Sequence, residues 1–254
     1  MERDAATSST PLMPPTNAPV PYREFEPNGR GLAALTGFLL GLACLLPLAL
    51  LLLAPATSPF AVYFFLLIIF HMAEYLLTAA FRPDTLSFDN FLLNHSTAYQ
   101  ACVLMAWTEY WLEFSFFSSM GRGWGALNSL GLLICLVGLV SRSLGMATAS
   151  TNFSHKIEER KRDEHRLVTH GIYAHLRHPA YFGFFWWSVG TQILLCNPIC
   201  VIGYAGATWH FFYDRIPHEE ALLIQFFGEQ YRAYMKDTVI GIPFIEYAVK
   251  RWPP

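Results

Sequence analysis

Long apolar stretches separated by short polar segments dominate the chain. Each stretch is close to the ~20 residues that a helix needs to cross a lipid bilayer, and each carries few charges. They cover residues 31–53, 60–80, 91–117, 124–146, 179–196 and 198–213. The pattern therefore predicts an all-α polytopic membrane protein with about six transmembrane helices.

Two prolines shape these predicted helices. Pro47 interrupts the first apolar stretch, so we expect a kink that neighbouring helices must accommodate. Asn197-Pro198 places a tight turn between the last two stretches. Those two stretches are therefore expected to form a C-terminal helical hairpin over about 179–213.

The two ends of the chain have different patterns. Residues 1–28 contain six prolines and no apolar period, which predicts a disordered tail. From residue 217 onward the pattern is that of an amphipathic helix, expected to lie in the membrane interface. The apolar side of this helix carries Leu223, Phe227, Tyr231 and Tyr234.

Composition and charge support a membrane protein and orient it. The chain is 54% hydrophobic and 14% charged, with a mean hydropathy of +0.32. A net charge of −2 argues against a nucleic-acid partner, which would call for a strongly basic surface. Of the 17 Lys and Arg, Arg122 alone falls in a loop of the side opposite the termini. The positive-inside rule therefore places both termini and the 147–178 loop in the cytosol.

The stretch 165–183 is the richest in candidate chemistry, because it gathers His, Arg and Tyr where a polar loop meets an apolar span. Its histidines could suggest a metal site, but Pro179 breaks the helix that would hold them on one face. No metal is therefore expected. The four histidines are His165, His170, His175 and His178.

Ionisable residues inside the predicted spans are further candidates, because a charge in lipid is costly and often functional. His71 and Glu74 lie one turn apart in the second span, and Glu109 and Glu113 lie one turn apart in the third. Nothing nearby suggests a proton relay. We interpret both pairs as structural, either neutral or bonded to another helix.

Three arginines stand at the ends of the spans that flank the 147–178 loop. They are Arg142, Arg177 and Arg215. A single arginine there is typical of a side chain whose stem lies in lipid and whose head reaches water. Three together are equally compatible with a shared anion.

The C-terminal half resembles one known family. The runs LVTHGIYAHLRHPAYFGFFWWSVGTQILLCNPIC (167–200) and FFYDRIPHEEALLIQFFGEQYRAYMKDTVIGIPFI (211–245) are similar to the isoprenylcysteine carboxyl methyltransferases. SRSLGMATASTNFSHKI (141–157) extends the match upstream. The RHPxYxG motif alone also occurs in phospholipid N-methyltransferases and some sterol reductases. Combined with GTQ, NP, FFxDR–EE and GIPFI, it indicates the methyltransferase family.

The resemblance implies an S-adenosylmethionine site, with S-adenosylhomocysteine as product and no metal. The residues that match its cofactor contacts are His165, Arg166, Leu167, Val168, Tyr173, His178, Pro179, Ala180, Tyr181 and Glu219. Glu158 stands where the family has Gln, so that contact is the least secure. Arg215 matches the substrate-binding arginine, and Arg142 and Tyr181 match residues expected near the substrate carboxylate.

The implied reaction is methyl esterification of the C-terminal α-carboxylate of a prenylated cysteine in a processed CaaX protein, small GTPases being typical substrates. An α-carboxyl has a pKa of about 3.3–3.7, so no general base is required. The alternatives are a phospholipid N-methyltransferase and a sterol reductase-like enzyme that binds NADPH. The family also implies an endoplasmic-reticulum membrane. We divide the chain into a cytosolic tail (1–28), four transmembrane helices (29–146) and a catalytic region (147–254).

Overall fold

The computed structural model describes residues 25, 29–94, 96–117, 124–246 and 249. In this part of the chain regular secondary structure is helical, apart from a single bridge between Leu176 and Val239. The α-helices are α1 (Arg30–Ala43), α2 (Leu45–Leu53), α3 (Ser58–Phe81), α4 (Thr97–Phe117), α5 (Ala126–Ala149), α6 (Pro179–Leu195), α7 (Pro198–Phe227) and α8 (Glu229–Asp237). The predicted all-α membrane class is confirmed. The tail 1–28 lies outside the described residues, apart from Phe25.

Among the described residues, three helical stretches are long and apolar enough to cross a membrane: Arg30–Leu53, Pro55–Phe81 and Ala126–Asn152. The first contains the kink predicted at Pro47, found as a break at Cys44 between α1 and α2, since proline lacks the amide that would continue the helical ladder. The remaining predicted stretches form α4, α6 and the first half of α7.

Two predicted boundaries are wrong. The third apolar stretch begins at Thr97 rather than 91, because residues 88–91 form a 3₁₀ turn that Ser87 and Asn90 cap. No separate helix starts at 217: α7 runs on through Pro217 to Phe227, and α8 follows after Gly228. Pro217 removes one backbone hydrogen bond, but its turn is buried and packing keeps the helix continuous.

Helix α8 packs against protein along its apolar side. Tyr231 and Tyr234 are buried, and the Tyr234 hydroxyl donates to the Tyr173 carbonyl at 2.7 Å. The apolar positions that suggested a lipid-facing helix therefore cover the polar loop instead. Beyond α8, Val239 pairs with the loop: its amide donates to the His175 carbonyl at 3.1 Å.

Helices α5 and α6 are in backbone contact through glycines. A Cβ atom placed on Gly138 would lie 2.5 Å from the Trp187 amide nitrogen, and one on Gly183 would lie 2.5 Å from the Gly138 carbonyl oxygen. Small residues permit this approach, as in other membrane helix pairs. The contact fixes Arg142, near the end of α5, beside Ala180 at the start of α6.

Candidate functional site

The polar 150–178 segment and the two final helices enclose a cavity of about 120 Å³, which we call the polar cavity after the His165, Arg166 and Glu219 side chains on its wall. Its walls come from the end of α5, the polar loop, the first turn of α6, the second half of α7 and α8. The lining residues are Ala149, Asn152, Phe153, Ser154, His165, Arg166, Leu167, Val168, Tyr173, Arg177, His178, Pro179, Ala180, Tyr181, Glu219, Leu223, Phe227, Tyr231 and Tyr234.

Ten of the residues that the resemblance implies for the cofactor line this one cavity. They come from 165–168, from Tyr173, from the 178–181 turn and from Glu219. Glu158 is not among the lining residues; its carboxylate lies 3.6 Å from Arg162 on the same loop. The structure therefore brings together every residue of the implied set except Glu158.

Three buried polar atoms on these walls have no hydrogen-bond partner within the described part of the chain: His165 Nδ1, Glu219 Oε2 and Tyr231 Oη. Burial without a partner costs free energy, so such atoms point to a polar ligand. Burial, then the neighbouring Arg162, lowers the pKa of His165 and favours its neutral form. The cavity thus offers a carboxylate, a phenol and a neutral imidazole.

A buried ion-pair cluster holds the 177–178 turn. Arg177 Nε donates to Glu220 Oε1 at 2.6 Å and its Nη1 to the Thr238 carbonyl at 2.7 Å, while His178 Nε2 lies 3.0 Å from the same Glu220 oxygen. Burial would raise the pKa of Glu220, but the hydrogen bond and charge of His178 and the Arg177 guanidinium outweigh it and hold that pKa below its usual range. Arg177 is thereby occupied, so the idea of three arginines sharing one anion is wrong for this residue.

A second cavity, of about 900 Å³, lies between α3, α4, α5, α6 and α7. Most of its wall is apolar, with Leu77, Phe81, Phe184, Trp187 and Phe211 among the lining residues. The charged side chains on its wall include Arg82, Asp89 and Lys156. A further polar group, connected by hydrogen bonds and here called the polar end, consists of Arg142, His155, Tyr181 and Arg215.

The two cavities share part of their walls, namely Phe153, Ser154 and Tyr181. Arg215 Nε donates to the Tyr181 hydroxyl at 2.9 Å, and Arg215 Nη2 donates to the His155 carbonyl at 2.7 Å. On the other face of the wall, the Tyr181 and His178 rings stack with their centroids 5.4 Å apart. Tyr181 is thus fixed from both sides at the junction.

Arg142 reaches the same junction but is fully engaged. Its Nε and Nη2 donate to the two carboxylate oxygens of Glu74, the latter at 2.8 Å, and its Nη1 donates to the Ala180 carbonyl at 3.1 Å. His155 Nε2 lies 3.0 Å from Glu74 Oε2. Sequence reasoning did not place Glu74 or His155 at the site, because Glu74 was paired with His71.

The interpretation of the intramembrane carboxylates as bonded to another helix is confirmed for Glu74, and also for Glu109. The Glu109 carboxylate accepts from the Ile199 and Cys200 amides at 2.7 Å each, at the start of α7. His71 lies 2.7 Å from the Phe91 carbonyl and 3.0 Å from the Tyr99 hydroxyl instead of contacting Glu74.

Among the described residues no three His, Cys, Asp or Glu side chains are grouped so as to hold a metal ion. The histidines of 165–178 serve separate contacts. His165 packs edge-on against Phe226 and Phe227, while His178 belongs to the Glu220 cluster.

Other residues of the polar cavity were missed by sequence reasoning, because their apolar pattern was assigned to lipid. They are Leu223, Phe227, Tyr231 and Tyr234. The one available signal was that this pattern continues from the second half of α7, which carries Glu219. Fold and site together define a helical membrane protein in which a polar cavity and a larger, mostly apolar cavity meet at a shared wall that includes Tyr181.

Comparison with known proteins identifies the family. Residues 130–225 match the model of the isoprenylcysteine carboxyl methyltransferase (ICMT) family. The chain is similar to the protein-S-isoprenylcysteine O-methyltransferase of Xenopus laevis, with 44% identity over 84% of this chain and 73% of the relative. That of Homo sapiens is 44% identical over 84% and 74%, and that of Dictyostelium discoideum 45% identical over 78% and 82%.

A solved structure agrees with the sequence comparisons. The eukaryotic intramembrane Ras methyltransferase ICMT superposes with a TM-score of 0.78 and 42% identity, covering 82% of this chain and 75% of that one. The chain belongs to the isoprenylcysteine carboxyl methyltransferase family. The resemblance seen in the C-terminal half is confirmed and extends over most of the chain.

Proposed function

We propose that the protein transfers a methyl group from S-adenosylmethionine to the C-terminal α-carboxylate of prenylated cysteines in processed CaaX proteins. The relatives at 44% identity carry the matching name. The observation that supports this function most directly is the meeting of a polar and an apolar cavity at Tyr181 and Arg215. A water-soluble methyl donor and a lipid-modified acceptor need two such compartments.

The side chains on the wall of the polar cavity suit the chemical groups of the methyl donor. His165 Nδ1, Glu219 Oε2 and Tyr231 Oη are buried and make no hydrogen bond within the described residues, although Glu219 Oε2 lies 3.9 Å from His178 Nδ1. They suit the hydroxyl and amino groups of a nucleoside and an amino acid. The residues proposed to hold it are His165, Arg166, Leu167, Val168, Tyr173, His178, Pro179, Ala180, Tyr181 and Glu219. When bound there, S-adenosylmethionine supplies a methyl group on a positively charged sulfur, which leaves as neutral S-adenosylhomocysteine. Glu158, paired with Arg162, stays a weaker candidate.

The apolar cavity suits the prenyl chain, since its volume of about 900 Å³ lies in the ~300–1,000 Å³ range of small-molecule sites. At its polar end, Arg215 has donated two of its three nitrogens to Tyr181 and His155. Within the described part of the chain the third nitrogen, Nη1, meets no hydrogen-bond partner. We assign it to the substrate carboxylate, with Tyr181 orienting the same group; Arg142 lies beside them at the junction, its nitrogens held by Glu74 and the Ala180 carbonyl.

Ester formation at this junction needs no proton transfer, because an α-carboxyl with a pKa near 3.3–3.7 is already ionised at neutral pH. A carboxylate oxygen forms the new bond to the methyl carbon, and the sulfur keeps the electron pair of the bond that breaks. The protein contributes alignment and the exclusion of water around the carboxylate. Tyr181 and Arg215 provide the alignment, and the aromatic wall of Phe184 and Phe212 excludes water.

A lipid N-methyltransferase is less compatible with this junction. An acceptor amine at the polar end would lie beside two guanidinium groups, and the nearby Glu74 carboxylate is taken by Arg142 and His155. Two arginines at the polar end suit an acidic acceptor instead.

The proposed membrane arrangement has six spans: α1–α2, α3, α4, α5, α6 and the first half of α7. Both termini and the 147–178 loop would then lie in the cytosol, in line with the distribution of Lys and Arg. Residues 29–146 supply the first four spans and 147–254 the catalytic region. An endoplasmic-reticulum membrane and small GTPase-type substrates follow from the family.

The test is methyl transfer to a prenylcysteine, with its C-terminal amide as matched control. Purified protein should bind radiolabelled S-adenosylmethionine in preference to NADPH, methylate N-acetyl-S-farnesylcysteine, and leave the amide and phosphatidylethanolamine unmodified. Arg215→Ala should lower kcat/KM by about 100-fold while still binding the cofactor, as losing a charged hydrogen-bond donor at a reacting group does. Equal transfer to phosphatidylethanolamine would establish the phospholipid alternative.

A further inference from the structure

Glu74 is a buried carboxylate on α3 that the proposed reaction does not yet use. Its side chain is 2% exposed, and it lies outside the segment that carries the family motifs. Arg142 grips both of its oxygens and His155 contacts one of them. A carboxylate so deep in a helix bundle is retained at a desolvation cost, which calls for a physical reason.

The contacts of Glu74 extend to both arginines of the junction. Through Arg142 it reaches the Ala180 carbonyl, one residue before Tyr181. Through His155 it reaches Arg215, because the His155 carbonyl accepts from Arg215 Nη2 at 2.7 Å. Glu74, which lies on α3, is therefore connected through hydrogen bonds to the groups that hold Arg215 and Tyr181 in place.

Charge counting at the junction gives Glu74 an electrostatic role. Arg142, Arg215 and Glu74 together carry a net charge of +1, while Glu219 lies on the cofactor side of Tyr181. Without Glu74 the substrate carboxylate would face two guanidinium groups, neither of them paired with a carboxylate of the same cluster. The donors of Arg142 would also become free to grip the carboxylate directly.

The reaction itself makes this balance important. A sulfonium and a carboxylate become a thioether and an ester, so opposite charges disappear on the way to the transition state. Cations beside the carboxylate therefore stabilise the reactants more than the transition state, and an interaction of that kind strengthens binding while slowing catalysis.

Resting on the function proposed above, we propose that Glu74 is a positioning residue that keeps Arg142 neutralised and away from the substrate carboxylate. Arg215 then makes the direct contact and the nucleophile stays reactive. Arg142, held by Glu74, positions the Ala180–Tyr181 turn.

The test compares Glu74→Gln with the wild-type full-length protein in lipid nanodiscs, using N-acetyl-S-farnesylcysteine at saturating cofactor. The variant should show a kcat lowered by about 10-fold or more and a KM that is unchanged or lower, since misdirected binding of a reacting group costs rate. Its Kd for S-adenosylmethionine should stay within about 3-fold. A merely structural role would instead raise KM and weaken the cofactor in parallel.

The double variant Glu74→Gln/Arg142→Gln restores the net charge of +1 and should recover kcat several-fold over Glu74→Gln. The double variant also carries a neutral pair in place of the buried ion pair. If Glu74→Gln does not fold, the double variant becomes the test, and it should retain at least about a tenth of the wild-type kcat. Glu109→Gln is the matched control. It removes an intramembrane carboxylate that caps α7, and its kcat and KM should stay within about 2-fold of wild type.

Three results would overturn the inference: a wild-type kcat in Glu74→Gln, a parallel loss of substrate and cofactor affinity, or a double variant that binds cofactor but is as slow as the single one. A wild-type protein that binds cofactor yet never methylates the prenylcysteine would count against the proposed function instead.

Discussion

Tyr181 is the side chain through which the two halves of the site contact each other. Its ring stacks on His178, which the buried Glu220 holds, and its hydroxyl accepts from Arg215. One side chain therefore fixes the relative position of the polar cavity and the polar end of the apolar one. Because the hydroxyl and the ring make different contacts, a substitution can remove the hydroxyl and keep the ring.

Tyr181→Phe keeps the ring stack and removes the acceptor for Arg215. Loss of one such hydrogen bond, about 1–2 kcal/mol, should lower kcat/KM for the prenylcysteine by about 5- to 30-fold. The Kd for S-adenosylmethionine should change little, because the cofactor wall is retained. Initial rates and calorimetric titration measure the two quantities. An equal loss of cofactor affinity would contradict the assignment of the hydroxyl to the acceptor side.

Glu220 ties stability to pH. Its pKa in the folded protein is held below its usual range despite burial, so it favours folding fully above its unfolded pKa of about 4.3. That contribution is lost as pH falls through the lower folded pKa. Glu220 should therefore stay ionised in mild acid and become protonated only at strongly acidic pH. The contacts that hold the 177–178 turn should be lost over the same range.

Glu220→Gln should remove both the stabilisation and its pH dependence. Breaking this buried cluster should cost about 3–5 kcal/mol at pH 7, and the variant's stability should change less between pH 6 and pH 3 than that of the wild type. Thermal unfolding in detergent across that range measures both. Glu229→Gln, in an exposed pair with Arg232, serves as control and should follow the wild type. A Glu220→Gln profile parallel to the wild type would refute the assignment.

The site residues that could be predicted from the sequence are those that lie close together along the chain. The residues of 165–181 belong to one motif-bearing segment, so a match to the family placed them together. Glu74 and Arg142 are 68 positions apart and meet through the packing of α3 against α5. In the sequence, His71 lies one helical turn from Glu74 and therefore suggested a partner for it. In the structure, His71 instead contacts the Phe91 carbonyl and the Tyr99 hydroxyl.

At the scale of elements, the contact of α5 with α6 sets the geometry of the junction. Backbone contact at Gly138 and Gly183 places Arg142 against the first turn of α6. In membranes, where apolar burial does not drive helices together, such close packing supplies much of the association. A larger residue would have to push the backbones apart.

Gly138→Val should destabilise the protein by about 1–3 kcal/mol or more and abolish methyl transfer, because its Cβ would start 2.5 Å from the Trp187 amide nitrogen. Gly203→Val is the control: nothing lies within 4 Å of a Cβ on that face of α7. It should keep activity and unfold close to the wild-type temperature. Comparable losses in both variants would show that helix propensity, not the α5–α6 contact, is responsible.

The helices themselves were largely predictable, because apolar stretches of span length have few alternatives in a membrane protein. Their ends were not. Proline usually ends a helix, but at Pro217 packing against Ile240, Ile242 and Ile245 keeps α7 continuous. Tyr231 and Tyr234 are also buried, with Tyr234 bonded to the Tyr173 carbonyl, where amphipathicity alone suggested the membrane interface.

At the scale of the whole molecule, the two cavities differ in size as well as in the side chains that line them. The polar one, about 120 Å³, is below the ~300 Å³ of typical small-molecule sites. We therefore expect the 153–168 segment to move outward when a nucleoside cofactor binds. Its contacts are suited to that: Lys161 Nζ donates to the Phe226 carbonyl at 2.9 Å and the Arg166 amide to Asn152 Oδ1, both at exposed positions.

Esterification removes the charge by which Arg215 would hold its substrate. The Arg215 nitrogen that has no partner in the described residues attracts a carboxylate but interacts only weakly with a neutral ester. The prenyl chain is apolar, so the cavity and the bilayer solvate it about equally well. Product would therefore leave sideways into the lipid without any mechanical ejection. The enzyme would recognise completed molecules by their loss of charge, and a membrane full of methylated product would barely inhibit it.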